Sequence, residues 1–414
     1  MKGLIRFLQE FLKNKGLFVF SSILIEKIVG LINTIVVVRL ISEEDFGLVT
    51  IIASLFSIFV TLNGFGAIQG VLRYGALEKE EVGKHALSRY FFKEGFKRQI
   101  ILLVLFLLTS LFYEIKYSTI WVIILFFAIR LIGYYIFSFI VTYNRIQNRN
   151  DRFAKLTIFI HLVGLALAIG LTYQLGLLGY LIGLALSPWL SLFFVPKDLL
   201  NKISFRFEHY DIKSFWSYSL NSAFAYFLSE ILFMLDVFLI GLMLNENEVA
   251  KYKLAIILPM NLKFISAIFI QTDFPKLVEN SKDKSYLKFY ITNYYKLFIP
   301  LSFLLLIVVF FVKDWILPFV FGKTYEENSW IFFMILFAVV CNMCFRNLYG
   351  NLLSAVGMAK KNTQIAIVSI FLMLVLGFIL IPSYGLLGAA ISLTITFISM
   401  GLWSGYIFNK YLKR

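Results

Sequence analysis

The sequence is poor in the residues on which soluble enzymes depend. Only 15% of its 414 residues are charged, and it has three histidines and two cysteines. An average soluble domain is about 25% charged, so this composition excludes an ordinary soluble protein. Two cysteines cannot build a disulfide framework. The sequence shows no Ser/His/Asp set, no metal-ligand cluster and no P-loop, which indicates that the chain does not itself consume ATP.

Long apolar runs are what the sequence has instead. Hydrophobic residues make up 60% of the chain, the mean hydropathy is +0.83, and runs of about 20 residues, long enough to cross a bilayer, recur throughout. In lipid every backbone polar group must be satisfied within its segment, so these runs are predicted to be helices. We predict an all-α polytopic membrane protein with about twelve transmembrane helices. Their predicted limits are 16–41, 46–68, 97–113, 119–142, 154–173, 176–196, 215–243, 250–272, 294–312, 329–350, 363–381 and 385–408.

The net charge of +15 follows from membrane topology. When both termini are assigned to the cytoplasm, most of the 39 basic residues fall in the inner segments, as the positive-inside rule requires. The charge therefore needs no nucleic-acid partner. The acidic turn "SEEDF", residues 42–46, then faces outward.

The two halves of the chain are predicted to be related. "ISEEDFG" (41–47) aligns with "LNENEVA" (244–250), and "GLLGYLIGLALS" (176–187) aligns with "GLLGAAISLTIT" (385–396). Both alignments have nearly the same offset, close to half the chain length. An even number of spans per half makes the repeats parallel, so we predict two parallel six-helix bundles with pseudo-twofold symmetry. In transporters of this type the substrate site lies between the bundles near the midplane.

Four segments are predicted along the chain. They are an interfacial amphipathic helix (1–15), an N-terminal six-helix bundle (16–196), a charged cytoplasmic linker (197–213) and a C-terminal six-helix bundle (214–414). The first segment carries apolar residues at helical spacing and basic residues on its other face, a pattern typical of helices at the membrane surface. The basic loops 76–98 and 276–296 are expected to lie on the cytoplasmic surface, where they attract anionic lipids.

Several motifs give the sequence a family resemblance. They are "VVVRLISEEDFGLVT" (36–50), "NGFGAIQGVLRYGA" (63–76), "LDVFLIGLMLNENEVAKYKLA" (235–255), "DFPKL" (273–277) and "GLLGAAISLTIT" (385–396). In order and spacing they resemble the polysaccharide-unit flippases (Wzx type, serving O-antigen or capsule) of the multidrug/oligosaccharidyl-lipid/polysaccharide exporter superfamily. The resemblance covers essentially the whole chain.

The resemblance implies a transporter rather than an enzyme. Its substrate would be an isoprenoid-pyrophosphate-linked oligosaccharide, moved by alternating access from the inner to the outer leaflet of the bacterial plasma membrane. Other expected partners are membrane lipids, a polysaccharide polymerase and a chain-length regulator. No cofactor is expected beyond a coupling proton or sodium ion. The sequence does not choose between an ion gradient, the membrane potential and removal of product as the energy source.

Ionisable residues inside the predicted spans are the candidate site residues, because each costs about 2.5 kcal/mol or more at the bilayer centre. We assign Lys27, Arg130 and Lys263 to the substrate pyrophosphate, since Arg forks and Lys point charges suit phosphate oxygens. We assign ion coupling to a second set, which comprises Glu26, Glu230 and Asp236. The alternative is that such charges pair structurally between spans, for instance Glu230 with Lys27, with no ligand involved.

Helical spacing groups some of these positions with other polar residues. Glu26, Gly30 and Asn33 share one stripe of the first span. A second stripe, on the seventh span, comprises Ser222, Tyr226, Ser229, Phe233 and Asp236. Polar stripes of this kind are expected to face a bundle interior or a watery cavity rather than lipid.

Three further features have a structural interpretation. Pro259 is expected to kink the eighth span one turn before Lys263. His161 is predicted to be a hydrogen-bonded packing residue. Cys341 and Cys344, although spaced as C-x-x-C, lie in an apolar helix and are predicted to be small packing residues.

Two other functions fit a chain of this kind. An ion-coupled multidrug exporter of the same superfamily would have a smaller, more apolar cavity with few fixed cations, and the buried basic residues argue against it. A membrane oligosaccharide polymerase has a similar number of spans, but such enzymes carry a long outward loop with reactive groups. The longest predicted outward loop here, residues 313–328, is short and lacks histidine.

Overall fold

The computed structural model describes residues 2–37, 39–114, 120–196, 199, 211–244, 246–321 and 329–413, which are mainly helical and contain no strand. This confirms the predicted all-α class. Within those residues, nine helical segments are long and apolar enough to cross a membrane. The first and third predicted spans lie on two further helices, α2 (Gly16–Val37) and α5 (Glu81–Glu114), and the last two spans share the long helix α15 (Ala359–Lys413), so every predicted span falls on helical structure.

The chain forms two compact units. The N-terminal unit is Asn14–Phe227, and the C-terminal unit combines Met1–Lys13 with Leu228–Arg414. The N-terminal unit contains α2 (Gly16–Val37), α3 (Glu43–Thr61), α4 (Ala67–Leu77), α5 (Glu81–Glu114), α6 (Ile120–Ile146), α7 (Asn150–Leu175), α8 (Leu177–Leu186) and the first part of α9 (Ile212–Met243). The C-terminal unit contains α1 (Lys2–Lys13), the rest of α9, α10 (Glu246–Leu262), α11 (Phe264–Glu279), α12 (Lys284–Phe321), α13 (Ser329–Cys341), α14 (Leu348–Ala355) and α15 (Ala359–Lys413).

This division differs from the predicted boundaries at two places. The unit boundary falls inside α9, because the start of α9 packs into the N-terminal unit, where the Phe215 ring lies 5.3 Å from that of Tyr74. Most of the predicted linker 197–213 lies outside the described residues. The second difference is that α1 belongs to the C-terminal unit.

Helix α1 uses its aromatic side for protein packing. Phe7 and Phe11 are almost fully buried, and the Phe11 ring stacks on Phe269 with centroids 4.3 Å apart. Phe7 also meets Tyr290 edge-on at 5.2 Å. Leu12 stays 52% exposed. The predicted amphipathic helix is therefore present, but the aromatic part of its apolar face is covered by α11 and α12.

The acidic turn after α2 is the start of α3. Ser42 is its N-cap, and the Ser42 hydroxyl accepts a hydrogen bond from the Asp45 N–H at 3.1 Å and donates to Asp45 Oδ2 at 2.8 Å. Acidic residues are stabilising in the first turn because the helix dipole is positive there. The helix dipole thus gives a local reason for the acidic turn, in addition to its predicted outward orientation.

A glycine-rich break divides the second predicted span. At residues 63–66 the chain turns through left-handed backbone at Gly64, Phe65 and Gly66 before α4 begins. A Cβ on Gly66 would lie 2.0 Å from Ser219 O, so only glycine allows α9 to approach. Buried Gln99 holds the break: its Oε1 accepts from Gly64 N–H at 2.7 Å, and its amide donates to Leu131 O at 3.2 Å.

The predicted repeat appears as the same corner in each unit. Gly176 has φ 58° and ψ −136°, and Gly385, its match in the alignment, has φ 56° and ψ −135°. A Cβ on the third residue after each corner would also clash with the preceding helix, at 1.9 Å from Leu171 O for Gly179 and 2.1 Å from Leu380 O for Gly388. Small residues allow membrane helices to approach closely. The "GLLG" motif therefore builds a tight helical hairpin in both units.

The segments predicted as basic loops are largely helical. Helix α5 starts at Glu81 and α12 at Lys284, so both helices extend well before their predicted spans. On its membrane stretch α12 exposes large apolar side chains such as Phe311 (77%) and Phe319 (91%). A soluble protein rarely exposes an apolar surface of this extent.

Candidate functional site

Arg130 is the central cation of the N-terminal unit. Its Nη1 donates to the carbonyl oxygen of Leu184 at 3.2 Å, and its guanidinium carbon lies 5.4 Å from the centre of the Phe56 ring. The Nε atom is buried and has no hydrogen-bond partner within the part of the chain that the structure describes. Over the same part, no carboxylate lies within 4.0 Å of the guanidinium. Arg130 is therefore a partly buried cation without a counter-ion in contact.

Glu26 and His161 lie beside Arg130. Their side chains approach to 3.8 Å between His161 Nε2 and Glu26 Oε2, and both are partly exposed. Tyr134 interacts electrostatically with both Glu26 and Arg130, and His161 also interacts electrostatically with Arg130. Helices α2, α6 and α7 thus bring Glu26 close to two charged or ionisable side chains that are more than 100 residues away in sequence. His161, predicted to be a packing residue, is placed at this cluster.

Asn33, Tyr134 and Tyr180 complete the cluster, and the two tyrosines were not among the predicted site residues. Asn33 donates to the Tyr180 hydroxyl at 3.2 Å, while the Asn33 Oδ1 is buried without a partner among the described residues. Tyr134 and Tyr180 both interact electrostatically with Arg130. Tyr134 lies four residues after Arg130 and so shares its helix face. That spacing was the available signal, but 22 tyrosines in the chain obscured it.

Lys27 is not part of this cluster. Its side chain is exposed, unlike the partly buried Glu26 beside it. Consecutive residues point about 100° apart around a helix, so α2 presents Glu26 and Lys27 in different directions. The structure therefore brings Glu26 and Arg130 together and leaves Lys27 on a separate face.

Asp236 is the central charge of the C-terminal unit. It is fully buried on α9, where its Oδ2 accepts a hydrogen bond from the Tyr252 hydroxyl at 2.9 Å and its Oδ1 accepts from Val237 N–H at 2.8 Å. Lys263 interacts electrostatically with this carboxylate. Asp236 is thus held by donors from α9 and α10, with a cation nearby.

Lys263 lies at the junction of α10 and α11, one turn after Pro259. Its backbone angles, φ −55° and ψ −25°, stay in the right-handed helical region, so the kink expected at Pro259 stays a prediction. Its Nζ is 3.3 Å from the centre of the Phe233 ring, which packs edge-on against Phe397. A cation over an aromatic face is stabilised by the ring quadrupole. The junction of α10 and α11 therefore presents a lysine to the aromatic side of α9.

Glu230 lies on α9 but on a different face from Asp236. The two residues are six apart, about 240° around the helix. Glu230 is partly buried, and over the described residues it makes no ion pair within 4.0 Å. The polar stripe predicted on this helix is uneven as well: Ser222 is buried, whereas Tyr226 is 52% exposed.

The two cysteines are buried in the C-terminal unit. Cys341 ends α13, and Cys344 lies in the π-helical segment Asn342–Asn347, with its sulfur 3.3 Å from the Ser302 hydroxyl. Hydrogen bonds from Tyr294 to Met343 O and from Asn347 to Ser266 tie this segment to α12 and α11. These contacts fit the small packing residues that were predicted.

Comparison with known proteins gives one family and one fold. The model of the family described as "Polysaccharide biosynthesis protein" matches residues 12–281, well over half of the chain. The capsular polysaccharide biosynthesis protein CapF of Staphylococcus aureus is 31% identical over 173 residues, which cover 40% of this chain and 43% of CapF. The match therefore spans less than half the length of that relative.

Two solved transporters share the overall structure. A MOP superfamily transporter from Pyrococcus furiosus superposes with a TM-score of 0.74 at 13% identity, covering 100% of this chain and 96% of its own. The MATE transporter VcmN of Vibrio cholerae gives a TM-score of 0.78 at 14% identity, covering 100% and 98%. At these identities the similarity shows the fold alone. Together with the family match it confirms the resemblance found in the sequence.

A multi-pass helical chain, a family match over most of its length and transporter folds that cover all of it agree with one another. The chain therefore belongs to the polysaccharide biosynthesis protein family and has the fold of the MOP superfamily and MATE transporters.

Proposed function

We propose that this protein is a flippase that moves an isoprenoid-pyrophosphate-linked oligosaccharide from the inner to the outer leaflet of the bacterial plasma membrane by alternating access. The family match and the similarity to CapF, which is described as a capsular polysaccharide biosynthesis protein, support a polysaccharide intermediate as cargo. The transporter fold supports translocation rather than catalysis. Such a cargo carries its negative charge on the pyrophosphate.

The observation that carries the proposal is the state of Arg130. A partly buried guanidinium with one protein hydrogen bond, a buried unpartnered Nε and no contacting carboxylate has donors left for an anion. Phosphate oxygens accept from a guanidinium fork in parallel pairs of charge-assisted hydrogen bonds. The hydroxyls of Tyr134 and Tyr180 beside it supply further donors. A pyrophosphate would therefore satisfy this cluster.

The remaining residues take secondary roles in the proposal. Lys27, exposed one position after Glu26, attracts the anionic cargo, and Lys263 provides a cation in the C-terminal unit. Coupling to a proton or sodium ion is assigned to Glu26, Glu230 and Asp236. Asp236 suits this role because a buried carboxylate changes its interaction with Tyr252 and Lys263 when a cation or proton binds.

The test is leaflet exchange of a fluorescent isoprenoid-pyrophosphate oligosaccharide in liposomes that contain the purified protein. Wild type, Arg130→Met and Lys27→Ala are compared, with Lys97→Ala as a control that removes an exposed cation paired with Glu94. We expect exchange by wild type and the control, strong loss in Arg130→Met and partial loss in Lys27→Ala.

Each other outcome has a definite meaning. Exchange that is unchanged in Arg130→Met retains the flippase and removes Arg130 from the site. No exchange by wild type, together with export of a lipophilic cationic dye, contradicts the proposal and supports the multidrug-exporter alternative.

A further inference from the structure

A cavity unrelated to the charged clusters lies between the ends of two helices in the C-terminal unit. It measures about 590 Å³ and is lined by Lys288, Ile291 and Thr292 near the start of α12 and by Asn409, Leu412 and Lys413 at the end of α15. On each helix the second and third of these residues lie three and four positions after the first, so they line one face. The volume is in the range of small-ligand sites.

The cavity lies at the predicted edge of the membrane. The ninth predicted span begins at residue 294 and the twelfth ends at residue 408, so the lining residues are within two turns of where both helices leave the apolar layer. The predicted orientation places this end at the cytoplasmic leaflet. A molecule bound here would have its polar part at headgroup depth and its apolar part against the membrane stretch of α12.

The lining is cationic and has no acidic residue. Neither the α12 stretch 284–296 nor any part of α15 contains Asp or Glu. Lys288 and Lys413 are exposed, and in the described ranges neither forms an ion pair within 4.0 Å. Thr292 and Asn409 add a hydroxyl and an amide, while Ile291 and Leu412 are apolar. The cavity therefore offers two ammonium groups and two neutral donors beside an aliphatic surface.

Neighbouring contacts fix the shape of this cavity without filling it. Helix α1 covers the adjacent side of α12, where the Arg6 guanidinium carbon lies 5.2 Å from the centre of the Phe289 ring. The Tyr411 hydroxyl donates to Ser281 O at 2.8 Å, which ties the end of α15 to the turn before α12. The two helix ends are thus held in place on either side of the cavity.

We propose that this cavity binds the headgroup phosphate of an anionic phospholipid from the cytoplasmic leaflet. Ammonium, hydroxyl and amide donors are suited to phosphate oxygens, and basic pockets between transmembrane helices on the cytoplasmic side are typical sites for such headgroups. The aliphatic residues and the position at the membrane edge favour a lipid over a free phosphate ion. The test of this site is independent of the proposed cargo, since lipid binding is measured without transport.

The test measures lipid binding to the full chain in detergent by native mass spectrometry. Phosphatidylglycerol is titrated against phosphatidylcholine of identical acyl chains, with and without inorganic phosphate as competitor. Lys288→Gln combined with Lys413→Gln removes the cavity cations. The control combines Lys296→Gln with Lys410→Gln, which removes the same charge from the same two helices outside the cavity. Thr292→Phe fills the cavity without changing its charge.

We expect the cavity pair to lose roughly 25-fold in affinity for phosphatidylglycerol, on the basis of about fivefold per lysine near an anionic headgroup. Thr292→Phe should also lose the bound lipid, whereas the control pair should keep it. Three results would each overturn the proposal. They are binding of phosphatidylcholine as tight as that of phosphatidylglycerol, equal loss of phosphatidylglycerol affinity in the cavity pair and the control pair, and displacement of phosphatidylglycerol by millimolar inorganic phosphate. The first two indicate non-specific lipid contact, and the third indicates a phosphate-ion site.

Discussion

Replacement of Arg130 by methionine separates a binding role of this residue from a structural one. The guanidinium has one protein hydrogen bond, 3.2 Å to Leu184 O, and an aromatic contact with Phe56. Methionine keeps an unbranched apolar side chain of similar length but carries no charge. If Arg130 exists to bind an anion, its removal should affect transport far more than stability.

The opposing contributions to stability can be estimated from these contacts. Loss of a hydrogen bond from a charged group costs about 1.5–3 kcal/mol, and loss of the ring contact costs about 0.5–1 kcal/mol. Against this, an arginine inside a spanning helix costs about 2.5–3.5 kcal/mol on insertion scales, a penalty that methionine removes. The contributions nearly cancel, so the free energy of unfolding should stay within about 1 kcal/mol of wild type.

Transport should respond differently. A charge-assisted contact with the cargo is worth about 1.5–3 kcal/mol, which corresponds to roughly a 10- to 150-fold loss of apparent affinity. Unfolding by denaturant in detergent micelles and leaflet exchange in liposomes measure the two effects on the same preparation. Tyr252→Phe is the matched stability control, since it removes a hydrogen bond from the fully buried Asp236 and should cost about 1.5–3 kcal/mol.

One result would refute this reasoning. If Arg130→Met destabilises the protein by about 3–5 kcal/mol, as rupture of a buried ion pair does, Arg130 holds the N-terminal unit together. A binding role would then not be needed to explain why the charge is there.

Three further predictions concern the fold and the coupling site. Gly385→Ala should lower the free energy of unfolding by about 1–3 kcal/mol, because alanine is strained at φ 56°. Gly170→Ala, at a helical site with open space, should be neutral or slightly stabilising. Equal effects of the two substitutions on unfolding would contradict the left-handed backbone at Gly385. Phe7→Ala should lower the free energy of unfolding by about 3–5 kcal/mol, whereas Ile5→Ala, at an exposed position, should change it very little. If Phe7→Ala leaves stability unchanged, α1 does not depend on its contacts with Phe269 and Tyr290. Asp236→Asn should keep the Tyr252 contact and the fold but lose the dependence of leaflet exchange on an imposed ion gradient; a retained dependence would assign coupling elsewhere.

Local features of the chain were readable from the sequence. Helices and span positions depend on hydrophobic length, and the match between the two "GLLG" motifs depends on glycine positions; both are properties of short segments. The matched alignment of Gly176 with Gly385 is an example, because the two residues adopt nearly identical backbone angles.

Convergence of side chains from distant helices was decided by the tertiary structure. Helical periodicity places Glu26 and Lys27 on different faces but does not say which face meets α6 and α7, because this depends on how each helix is rotated against its neighbours. Packing joins Glu26, His161 and Arg130 and leaves Lys27 exposed. It also selects Tyr134 and Tyr180 from 22 tyrosines that the sequence could not distinguish. Tertiary packing also turns the aromatic side of α1 toward Phe269. An amphipathic pattern specifies an apolar contact, but it does not specify whether lipid or protein provides that contact.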